Sequence, residues 1–90
     1  MSDLGEAQRA EQTLREQLAD LVRARARAES ESRRLAERGR LAGADATLGE
    51  LAERYRAQGE RLQTEVESVR SDLRRQEAEL ERLRAAEGGA

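Results

Sequence analysis

Leucine and smaller apolar residues recur every seven positions in two stretches of similar length, and the two stretches are out of phase. Leu4, Ala7, Leu14, Leu18, Leu21, Ala28 and Leu35 share one frame. Leu48, Tyr55, Leu62, Val66, Val69, Leu73, Leu80 and Leu83 share another. Seven-residue spacing holds a stripe on one side of an α-helix, so each stretch predicts an amphipathic helix with a coiled-coil seam. Continuing the first frame from Leu14 reaches Ala42 and then Gly49, whereas the second frame needs Leu48. The frames meet across residues 39–47, where Gly39 and Gly43 can adopt the left-handed backbone common just past a helix end.

The pattern therefore predicts an all-α, antiparallel two-helix coiled-coil hairpin. Its expected elements are a first helix over 3–42, a turn over 43–46, a second helix over 47–86 and a frayed end over 87–90. Ser2 or Asp3 can cap the first helix, with Asp3 and Glu6 at the positive end of its dipole. Arg34, Arg38 and Arg40 suit its negative end. Thr47-Leu48-Gly49-Glu50 reads as a capping box for the second helix.

In an antiparallel coiled coil the a positions of one helix face d positions of the other. Pairing residues whose numbers sum to 87 satisfies this along the whole chain. The layers include Leu4/Leu83, Ala7/Leu80, Glu11/Gln76, Leu14/Leu73, Leu18/Val69 and Leu21/Val66. Toward the turn they continue with Arg25/Leu62, Ala28/Gly59, Ser32/Tyr55, Leu35/Ala52 and Gly39/Leu48. Tyr55, the sole aromatic, is expected in the core with its hydroxyl reaching water. Without the turn, one straight helix about 130 Å long would result, with a break in seam phase at its centre.

Composition narrows what such a hairpin can do. The chain has 90 residues, is 40% charged, and lacks Phe, Trp, Ile, Pro, Cys, His, Lys and Asn. High charge with a helical period marks a coiled coil, and regular Leu/Val spacing without proline argues against disorder. Without His or Cys, the common zinc, haem and iron–sulfur ligand sets are missing, as are nucleophile–His relays and thiol chemistry. Glu16/Asp20 and Glu77/Glu81 are i,i+4 carboxylate pairs, but a hard cation needs more converging oxygens than either offers. No Gly-rich phosphate loop is present. These residues predict neither an enzyme nor a cofactor.

No apolar run approaches the roughly 20 residues of a membrane span, and the acidic N-terminus lacks the features of a signal peptide. A cytoplasmic location is the default expectation, with leaderless secretion left open. In length and in doubling back, the chain resembles the Trp-x-Gly family of type VII secretion substrates, which also fold as two helices of about forty residues. The turn here reads Leu-Ala-Gly-Ala-Asp without tryptophan, so the resemblance is one of shape and carries over no functional residue.

The middle of the seam is weak, because Arg25, Ala28, Ser32, Ala52 and Gly59 supply little apolar area. A lone hairpin should be marginal, which predicts association into a helical bundle, with itself or with a larger helical partner. Leu41, Leu48 and Leu51 gather near the turn; they could dock a partner, or close the hairpin's own end. Charge is also uneven. Residues 21–46 carry 7 Arg against 4 acids, and residues 1–20 carry 2 Arg against 5 acids.

Arg23, Arg27, Arg34 and Arg38 belong to this basic stretch and are candidate contacts for a partner or for nucleic-acid phosphates. The overall charge of −2, the intervening Glu29, Glu31 and Glu37, and the lack of aromatics to stack bases favour a solvated or protein-facing surface. The expected function is that of a non-enzymatic structural, assembly or adaptor protein working through helix–helix contacts. A small secreted hairpin and an Arg-lined nucleic-acid binder are the alternatives.

Overall fold

A computed structural model describes residues 3–43 and 45–88. Helix α1 spans Asp3–Leu41 and helix α2 spans Ala46–Gly88, and they pack antiparallel along their lengths. The hairpin is elongated, with extents of 71 × 16 × 14 Å. One connection of four residues joins the helices.

That connection is built by glycine and aspartate. Gly43 has φ +78°, a left-handed conformation that costs a side-chain-bearing residue about 1–2 kcal/mol. Its amide donates to the Arg40 carbonyl at 3.3 Å, and the Asp45 amide turns back to the Gly39 carbonyl at 3.1 Å. These bonds satisfy carbonyls that the end of α1 leaves without helical partners.

Asp45 then starts α2. Its Oδ1 accepts from the Thr47 amide at 2.9 Å and the Leu48 amide at 3.3 Å, while its carbonyl takes the Gly49 amide at 3.1 Å. The expected Thr47/Glu50 capping box is therefore not the cap. An aspartate two residues earlier brings a charged acceptor to the positive helix end, which leaves Thr47 inside the first turn. The turn accordingly lies one residue earlier than the spacing predicts. At the far end, the helix continues through Glu87 and Gly88, which were expected to fray. The expected cap Ser2 lies outside the described residues.

The antiparallel register is the one the two heptad frames predict. Residues from the same layer are buried together: Ala7 with Leu80, Ala28 with Gly59, Leu35 with Ala52. A Cβ on Gly59 would sit 4.0 Å from Ala28 Cβ, and one on Gly39 would sit 3.5 Å from Leu48 Cβ. Gly39 thus does not end α1. It lies inside the helix, at the point where α2 comes closest to the turn.

Two layers differ from expectation. Glu11 and Gln76 share a layer but bond elsewhere: Gln76 Nε2 donates to the Ala7 carbonyl at 3.1 Å, and Glu11 takes Arg15 at 3.2 Å. Tyr55 is 37% exposed rather than core. Its layer partner Ser32 is small, and the Ser32 hydroxyl donates to the Ala52 carbonyl at 2.8 Å, so the facing residue covers little of the ring.

Candidate functional site

A two-helix fold covers only one stripe of each helix, so the side chains bordering the seam decide what remains for a partner. The buried apolar residues are Ala7, Ala28, Leu35, Ala52, Val66, Val69 and Leu80. Leucine, the main large apolar residue, is mostly left half-covered. Leu35 and Leu80 are buried and Leu41 is exposed, while Leu4, Leu14, Leu18, Leu21, Leu48, Leu51, Leu62, Leu73 and Leu83 are half-buried. Alanine, glycine and valine hold most of the fully buried positions instead.

The seam separates two unlike faces. On one, Tyr55 and Gln58 of α2 line a shallow groove with Ala24, Arg27 and Glu31 of α1, and Leu51, Arg54 and Arg61 flank it. Toward the termini the same side presents Asp3, Glu6, Ala10, Glu79 and Leu83. The opposite face has a groove lined by Arg25, Glu29, Ser32, Arg56, Gly59 and Gln63, and farther along it the Arg15–Glu77 ion pair at 3.4 Å joins the helices. Gln63 Oε1 is buried there without a hydrogen-bond partner among the described residues.

Charge is segregated on the Tyr55 face. In its turn half, the positions flanking the seam carry Arg27, Arg34, Arg38, Arg54 and Arg61 against Glu31 and Glu65, a net +3. In its terminal half they carry Asp3, Glu6, Asp20, Asp72 and Glu79 against Arg75 and Arg82, a net −3. The opposite face shows no such division: in its turn half Arg25, Arg33, Arg40 and Arg56 stand against Glu29, Glu53 and Glu60, a net +1.

Of the residues the sequence singled out, Arg27, Arg34, Arg38, Leu41, Leu48 and Leu51 fall on the Tyr55 side, and Arg23 lies on the back of α1. Leu48 packs on Gly39, Leu51 borders the Tyr55 groove, and Leu41 is 79% exposed beside the turn. Leu41 therefore does not close the hairpin's end. Sequence reasoning placed Tyr55 in the core and missed it as a surface residue; the signal was its layer partner Ser32, too small to cover a ring.

Several arginines are engaged by the chain's own acids. Arg23 pairs with Asp20, Arg34 with Glu31, Arg40 with Glu37, Arg56 with Glu53 and Glu60, and Arg82 with Glu79. Hydrogen bonds from Arg34, Arg56 and Arg82 hold the carboxyls of Glu31, Glu53 and Glu79 below the usual glutamate range. The same bonds raise the three guanidinium groups above their ordinary value. By contrast, Arg27, Arg38, Arg54 and Arg61 make no ion pair with any described residue.

The carboxylate pairs noted in the sequence are likewise engaged: Glu16 accepts from Gln12, Asp20 meets Arg23, and Glu77 meets Arg15. Among the described residues, no three carboxylates converge as a metal site would require, and no helix is long and apolar enough to cross a membrane. The fold is an extended two-helix antiparallel hairpin. No family model, curated protein or solved structure matches it.

Proposed function

We propose that this chain is a non-catalytic assembly or adaptor element that works by docking its leucine-bordered faces against another helical surface. One observation carries this reading: nine of the twelve leucines stay half-buried, while seven of the nine fully buried residues are alanine, glycine or valine. Covering such leucines would remove apolar area from water at about 25 cal/mol per Å², a driving force the hairpin alone leaves unused. Flanking charges would set register and partner choice more than affinity.

A nucleic-acid interface is less well supported. Arg23 and Arg34 are occupied by neighbouring acids, and the groove beside Arg27, Arg54 and Arg61 holds a single aromatic. Base stacking and phosphate tracking call for a different surface.

The test places a photo-reactive amino acid at Tyr55, with a control at exposed Thr64 on the outer side of α2, in the organism that makes the protein. Cross-links from Tyr55 to peptides of a helical protein, absent from Thr64, are the expected result. Equal labelling at both positions, or adducts to nucleic acid that disappear in an Arg27→Ala/Arg34→Ala/Arg38→Ala variant, would overturn the proposal.

A further inference from the structure

Resting on the docking function proposed above, we infer that the occupant of the Tyr55 face is a second copy of this chain, laid face to face and antiparallel. Charge complementarity selects both partner and direction. The face carries +3 in its turn half and −3 in its terminal half, so it complements itself only when one copy is reversed end to end. Two parallel copies would set like charges against each other. Reversal brings the α1 helices of the two copies side by side in opposite directions, and the α2 helices likewise.

Full overlap then sets Arg27 near Asp20 of the second copy, Arg38 near its Glu6, and Arg54 near its Asp72. The three arginines lack close ion pairs with described residues of their own chain, so they are available to pair with the second copy. The opposite face, whose halves do not differ in sign, offers no comparable reason to choose an orientation.

The area is sufficient. A face whose outline is 71 by 16 Å encloses about 1,100 Å² per copy, room for the roughly 800 Å² per partner that a standard stable interface buries. Leu21 and Leu62 lie near its mid-length and Tyr55 and Leu51 farther toward the turn, side chains the isolated hairpin leaves half-covered or exposed. Docking would bury them in the middle of a four-helix arrangement, with the charges at the rim.

Mass by light scattering or sedimentation on the full chain should show a dimer. Two charge-reversed variants test the face. One carries Arg27→Glu, Arg38→Glu and Arg54→Glu, and the other carries Glu6→Arg, Asp20→Arg and Asp72→Arg. Each alone should associate at least about tenfold more weakly, because opposed charges become like charges. An equimolar mixture of the two should recover a heterodimer. Circular dichroism checks that each variant stays helical.

A wild-type Ala42→Cys spin label gives direction without the variants. Antiparallel copies place the two labels nearly the 71 Å hairpin length apart, and parallel copies place them side by side. Close labels, or reversed variants that still form homodimers, refute the antiparallel face. A helical but monomeric wild type eliminates the second copy as occupant and leaves the docking function itself to the Tyr55 cross-links.

Discussion

Replacing Gly43 by alanine changes stability in opposite directions depending on whether the chain turns there. Gly43 has φ +78°, and a Cβ built on it meets no atom within 4 Å, so backbone strain is the main structural consequence. Alanine in the left-handed region costs about 1–2 kcal/mol. Part of this is offset by about 0.4–1 kcal/mol from a less flexible unfolded chain, leaving a loss near 1 kcal/mol. Were the chain one continuous helix, the same substitution would stabilise it by about 0.5–1 kcal/mol.

Gly49→Ala is the matched control. Gly49 lies in the first turn of α2 with open space around its Cβ position, so alanine gains about 0.5–1 kcal/mol. Urea unfolding followed by far-ultraviolet circular dichroism should place the two variants on either side of wild type, about 2 kcal/mol apart. For a domain of this size, each kcal/mol also moves Tm by about 4–8 °C. Since the proposed self-association would add concentration-dependent stability, the comparison holds protein concentration fixed. Stabilisation by Gly43→Ala comparable to that by Gly49→Ala would refute the turn.

Three further outcomes follow from the packing and the charges. Leu80→Ala should cost about 2–5 kcal/mol, because Leu80 is 1% exposed against Ala7 and its neighbours cannot fill the void; Leu41→Ala should be nearly neutral by the same urea assay. Asp45→Ala should lose about 0.5–2 kcal/mol of cap, whereas Thr47→Ala should change little; equal losses would restore Thr47 as the cap. The lowered carboxyl pKa values of Glu31, Glu53 and Glu79 mean that their pairs contribute fully above the unfolded glutamate value of 4.5, and that this contribution is lost as pH falls through the lowered values. Carboxyl NMR titration should find all three below the usual glutamate range, and Arg34→Gln should return Glu31 toward it.

Much of the fold was legible because helix and hairpin depend on local and periodic features. Leucine spacing set which side of each helix turns inward, and the mismatch of the two frames located the turn. With the turn located, antiparallel a-to-d pairing left a single consistent register. The cap was less legible, since Asp45 and Thr47 are both good acceptors and only the path of the chain shows which one meets the free amides.

The sequence by itself determined a hairpin whose charge is basic near the turn and acidic in the first half of α1. The tertiary structure decided how that charge is divided between faces. A linear count merges both sides of each helix, whereas packing rotates each helix to a definite angle about its axis. Only then do Arg27, Arg38 and Arg54 share a surface with Tyr55, opposite the side where Arg15 meets Glu77. Burial also depends on what the facing residue can cover: Ser32 leaves Tyr55 open, Ala7 lies over Leu80, and that difference exists only between the helices.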